Sequence, residues 1–106
     1  MNIAQMMKQA QVMQERMAEM QDRLSDTEVT GSAGGGLVTV VMTCAQTMRK
    51  ITIDPSVINP NDGETLEDLI IVAVNSAVET GKARMEEETK QMMAGMGLPA
   101  GMKLPF

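Results

Sequence analysis

The spacing of apolar positions changes period along the chain, and each period predicts a different element. Between residues 2 and 25 the apolar positions are Ile3, Met6, Ala10, Met13, Met17, Met20 and Leu24, set alternately three and four residues apart. That is the heptad seam of a helix packed along its length on another helix, within the chain or across a dimer. The segment is rich in Gln, Met, Ala, Glu and Arg and lacks Gly and Pro, which suits one uninterrupted helix. Twenty-four residues at 1.5 Å each make a rod of about 36 Å, longer than one small sheet covers. Met7 and Val12 fall beside the seam and are expected to be partly exposed.

From residue 27 to 53 the period shortens. Glu28-Val29-Thr30-Gly31 begins a weak strand, and Gly34-Gly35-Gly36 marks a turn. Residues 37–43, Leu-Val-Thr-Val-Val-Met-Thr, are rich in β-branched side chains and predict a strong strand. After the connection Cys44-Ala45-Gln46, residues 47–53 form a third strand, with Ile51 and Ile53 on one face and Lys50 and Thr52 on the other. The two short connections imply an antiparallel meander. Asp54-Pro55 ends it, because proline cannot donate to the ladder.

A second helix is predicted from about residue 64 to 93, with Asp62 or Thr65 as its cap. Its first half, residues 66–78, is apolar over much of its circumference and is expected to lie on the sheet. Beyond Glu79 it turns polar and is expected to project into solvent or pair with another helix. Residues 94–106, with several Gly and Pro, are expected to form a flexible tail. The expected fold class is α+β: a single domain over residues 1–93, ordered α-β-β-β-α, with both helices extending past the sheet.

Composition narrows the function. The chain of 106 residues has no His, one Cys and one aromatic residue, Phe106. His-based acid–base or nucleophilic catalysis and a Cys/His zinc site are excluded, and no enzymatic activity, cofactor or small-molecule substrate is expected. With Phe106 as the one aromatic there is no stacking platform for single-stranded nucleic acid. Gly34-Gly35-Gly36 lacks the Lys-Ser/Thr and following helix of a phosphate-binding loop. The adjacent carboxylates Glu86, Glu87 and Glu88 diverge around a helix and are expected to form a solvated face. Cys44 is expected to play no catalytic part. The longest apolar run, residues 69–74, is far shorter than the roughly 20 residues that span a bilayer. With no apolar leader at the N-terminus, the expected location is cytoplasmic. A thin core in which methionine replaces aromatics favours an oligomer.

The motifs then converge. Met7-Lys8-Gln9-Ala10-Gln11, Met13-Gln14-Glu15, Glu28-Val29-Thr30-Gly31, Gly36-Leu37-Val38, Ile53-Asp54-Pro55-Ser56 and Leu66-Glu67-Asp68-Leu69-Ile70 occur in that order. They are followed by Leu98-Pro99-Ala100-Gly101-Met102-Lys103-Leu104-Pro105-Phe106. Together they resemble the YbaB/EbfC family of bacterial nucleoid-associated proteins over nearly the whole chain. The resemblance implies a tweezers-like homodimer with packed sheets and protruding helical arms, located at the nucleoid and binding DNA. Two segments depart from the pattern. Thr43-Cys44-Ala45-Gln46 stands where relatives often have a glycine, and cysteine adopts positive φ at a cost. Glu86–Glu88 stands where relatives are often more basic.

The net charge of −5 is unevenly spread. Residues 1–25 are neutral, residues 26–54 carry −1 and residues 55–106 carry −4. Arg16 and Arg23 lie one heptad apart on a stripe beside the seam, extended by Gln9 and flanked by Lys8. In an ordinary solvated helix they pair with Glu15, Glu19 and Asp22. Lys82, Arg84 and Lys90 lie on the projecting half of the second helix, where Lys82-Glu86-Lys90 forms an i, i+4 ladder. With the resemblance, Lys8, Gln9, Arg16, Arg23, Lys82, Arg84 and Lys90 become candidate contacts to duplex phosphates. The alternative is a protein-interaction module, its Met-rich helices engaging a recombination or replication partner and its association with DNA indirect.

Overall fold

The computed structural model describes residues 2–95. The order is α1 (Ile3–Ser25), β1 (Glu28–Ala33), β2 (Val38–Thr43), β3 (Met48–Ile53), a single 3₁₀ turn (Pro55–Val57) and α2 (Gly63–Gly95). The α-β-β-β-α order matches the expectation. Ala94 and Gly95 belong to α2 rather than to the expected tail, and residues 96–106 lie outside the described residues.

Local chemistry fixes the helix starts. The Asn2 side chain accepts a hydrogen bond from the Ala4 N–H at 3.0 Å, capping α1. Of the two candidate caps for α2, the structure uses Asp62. Its carboxylate accepts from the Thr65 N–H at 3.4 Å and from the Thr65 hydroxyl at 2.7 Å.

The sheet is antiparallel throughout, ordered β1-β2-β3. Ala33 pairs with Val38, so the first turn spans residues 34–37. Gly34, Gly35 and Gly36 have φ of 64°, 70° and 101°, a run that side chains tolerate poorly. At the second connection the left-handed residue is Gln46, with φ 65°, and not Cys44. The turn is thus made by Gln46, two residues beyond Cys44. Cys44 instead turns inward, with its N–H donating to the Thr27 carbonyl at 3.0 Å. A bulge at Val41/Met42 accompanies this turn.

Two clusters hold the molecule together. In the first, α2 lies over β1 and β2 and buries Ala33, Val38, Val40, Met42, Ala73 and Ala77. The inward residues of β1, which are Val29, Gly31 and Ala33, are small enough for α2 to approach the sheet closely. Burying valines such as Val38 and Val40 stabilises the fold by about 1.5–3 kcal/mol each. The second cluster is Met20, Leu24, Val29 and Cys44, with Met17 and Met85 packed on it. It joins the end of α1 to the sheet and to the middle of α2. β3 stays largely exposed, because α2 does not extend over it.

The result is elongated. The principal extents are 69 × 22 × 18 Å and the radius of gyration is 19.2 Å, against about 13 Å for a compact domain of this length.

Candidate nucleic-acid interface

The length comes from an arm made by α1 and the second half of α2. Leu24 packs with Met85, the Met20 sulfur receives the Thr89 hydroxyl at 3.9 Å, and Val12 and Met92 line one cleft. Falling numbers on α1 meet rising numbers on α2, so the two run antiparallel. The polar half of α2 is therefore partnered by α1.

This pairing covers only part of the heptad seam. Met20 and Leu24 are buried, at 3% and 2% exposure, and Met13 and Met17 are half-buried. Ile3 and Met6 are 73% and 50% exposed, and Ala10 is exposed as well. Of the two off-seam residues, Met7 is 63% exposed, whereas Val12 is half-buried against α2.

All seven candidate DNA-contact residues are exposed, and they divide by partner. Lys8, Arg16 and Lys90 make no ion pair among the described residues. Gln9 lies beside Lys8, and the two line a shallow depression of about 430 Å³ with Gln5 and Val12. Lys82 pairs with Glu79 at 3.7 Å, so the expected link to Glu86 is replaced by an i, i+3 contact. Arg23 and Arg84 share Glu88, whose two oxygens lie 2.8 Å from Arg23 Nη2 and 3.2 Å from Arg84 Nε. Arg23 pairs there and not with Glu19 or Asp22.

Glu88 is the residue that sequence reasoning missed. Its place beside Glu86 and Glu87 predicts a solvated carboxylate, but its side chain is only 17% exposed and faces α1. Its partner Arg23 is 65 positions away, so no local spacing marks the pair. A helical wheel supplies the only signal, since Glu88 falls three residues beyond Met85 on the α1-facing side. Between the helices a cleft of about 630 Å³ is lined by Arg16 and Arg23 with Glu15, Glu19, Glu88 and Gln91, above Met20 and Met92. Its charge is mixed rather than basic. Among the described residues no group of His, Cys, Asp and Glu is placed to hold a metal ion, and no helix is long and apolar enough to cross a membrane.

The model of the YbaB/EbfC DNA-binding family matches residues 1–96. A nucleoid-associated protein of Pseudomonas fluorescens (strain Pf0-1) is 54% identical over 107 residues, covering 98% of this chain and 96% of its own length. The crystal structure of an uncharacterized protein from Helicobacter pylori shares the fold. Its TM-score is 0.68 at 23% identity, over 91% of this chain and 97% of that one. The match spans both helices of the arm as well as the sheet, and it favours direct DNA binding over the protein-interaction alternative. The chain belongs to the YbaB/EbfC DNA-binding family.

Proposed function

We propose that the chain is a nucleoid-associated protein that acts in the cytoplasm as a homodimer, binding duplex DNA through phosphate contacts with little sequence selectivity. The family match and the name of the Pseudomonas relative support DNA and the nucleoid. The observation that carries the mechanism is the set of exposed cations Lys8, Arg16 and Lys90, which have no carboxylate partner among the described residues. They stand on helices in an elongated arm, free to approach a phosphate backbone. Lys82, Arg23 and Arg84 reinforce them at the cost of an existing ion pair, and Gln9 adds an amide beside Lys8.

A dimer doubles these contacts, which matters when each arm carries few cations. It also doubles the net charge to −10, so binding depends on where the charges lie. The exposed apolar surface supports association. Ile51 sits opposite Val40 on the α2-facing side of the sheet, yet is 40% exposed because α2 stops short of β3. Ile71, 57% exposed, lies on a stripe of α2 with the half-buried Val74 and Val78.

Fluorescence anisotropy with a labelled random duplex and the matching single strand at low salt tests the function. Tighter binding to the duplex supports it. Equal or better binding to the single strand, or no binding to either, contradicts it.

A further inference from the structure

The arm holds a carboxylate where a DNA-binding surface gains from a cation. Glu88 bonds Arg23 on α1 through one oxygen and Arg84 on α2 through the other, at 2.8 and 3.2 Å. Its own side chain is 17% exposed, against 59% for Arg23 and 50% for Arg84. The carboxylate thus lies beneath two arginines that face solvent. Each guanidinium has five N–H donors, and Glu88 engages one nitrogen of each. An approaching phosphate meets the remaining donors, but the trio presents one net positive charge rather than two.

We propose that Glu88 acts as a built-in counter-charge that holds Arg23 and Arg84 back from DNA phosphate and so sets the affinity of the arm. The proposal rests on the duplex-binding function above. Glu88 also ties α1 to α2, which explains a carboxylate at this position: it exchanges some affinity for an arm of fixed geometry. The other charges facing this point are Arg16, Glu15 and Glu19 from α1, which add no net positive charge to replace the one that Glu88 cancels.

The test compares Glu88→Gln with Glu86→Gln in the full chain. The two remove the same charge from the same helix, but Glu86 is exposed and makes no ion pair among the described residues. Anisotropy with a random duplex is read across a salt series. Glu88→Gln is expected to bind about fivefold tighter at low salt, in line with releasing an exposed ion pair. Its log–log salt slope is expected to steepen by about 0.9 for each arginine recruited. Glu86→Gln is expected to tighten binding less, with an unchanged slope. Arg23→Ala is expected to cost at least about threefold more affinity in the Glu88→Gln background than in the unmodified protein, the sign of arginines newly placed on phosphate.

Equal effects of Glu88→Gln and Glu86→Gln, or an Arg23→Ala cost that is the same in both backgrounds, overturn the proposal. Glu88→Met repeats the comparison with an apolar side chain of similar length beside Met20 and Met92, in case the amide loosens the arm. Absence of salt-dependent duplex binding by the unmodified protein overturns the function itself, and is seen before any variant is compared.

Discussion

Gly31 of β1 lies directly under Ala77 of α2, so close that a methyl group on Gly31 would overlap the Ala77 backbone nitrogen and the Ala73 carbonyl oxygen. Backbone, unlike a side-chain end, cannot swing aside. Gly31→Ala is therefore expected to destabilise the protein by at least about 2 kcal/mol, the scale of an overpacked core. Gly81, on the same helix, is the opposite case. A methyl there would meet Cys44 Cα and a Val29 methyl at an ordinary 3.6 Å. Gly81→Ala is expected to raise stability by about 0.5–1 kcal/mol, because alanine loses less backbone entropy in a helix. Thermal unfolding followed by circular dichroism gives both signs.

The root and the tip of the arm differ in the same way. Leu24 is buried in the cluster that joins α1 to the sheet, and Leu24→Ala is expected to cost about 2–5 kcal/mol in urea unfolding. Ile3 is exposed, and Ile3→Ala is expected to change stability by under about 0.5 kcal/mol. A cost above about 1 kcal/mol at Ile3 would show that the tip is covered in solution.

The exposed apolar edge at Ile51 predicts self-association. Sedimentation at micromolar concentration is expected to give a dimer for the unmodified chain and a monomer for Ile51→Asp, which would bury a charge at the interface. A monomer before substitution contradicts the homodimer. A dimer that persists after substitution places the interface elsewhere.

Burial pushes the Cys44 thiol above its ordinary value of 9.0, Arg84 pulls it down less, and Glu88 adds to the rise. The folded thiol is expected to react slowly with an aromatic disulfide reagent at pH 8, and quickly once the chain is unfolded. Between 9.0 and the raised value the folded chain holds a proton that the unfolded chain has lost. Stability from this group is therefore complete below pH 9 and declines as pH rises beyond it. Cys44→Ala is expected to flatten that alkaline decline.

The long periodic elements are the part of this fold most visible in the sequence. The 3–4 spacing from Ile3 to Leu24 places α1 to within a residue, and the apolar surface of residues 66–78 identifies the half of α2 that lies on the sheet. These signals are local and repeated, so each residue reinforces its neighbours. β1 was less legible. Its inward positions are Val29, Gly31 and Ala33, and two of the three are small because α2 needs the space. A propensity for strand cannot register that requirement.

The exposure of the candidate residues was legible in the sequence, but their ion-pair partners were not. Lys8 and Arg16 stand exposed on one helix, as the heptad wheel places them. The Arg23–Glu88–Arg84 trio arises only when α1 and α2 meet, and the link from Arg49 to Asp26 at 3.2 Å likewise joins β3 to the end of α1. Ion pairs between distant segments follow from tertiary packing, which spacing along one helix does not encode. The positive φ at Gln46 belongs with them, since the turn is set by Cys44 turning into the core.

In the proposed function, cations without ion-pair partners on the arm make the contacts to DNA. The most direct test is the salt dependence of binding to a random duplex for the unmodified protein and for the combined Lys8→Ala, Arg16→Ala, Lys90→Ala variant. The unmodified protein is expected to show a steep negative log–log slope. The variant is expected to retain native circular dichroism and lose about 0.9 of slope for each contact removed. A variant with the same slope and affinity as the unmodified protein would contradict that role for the three cations.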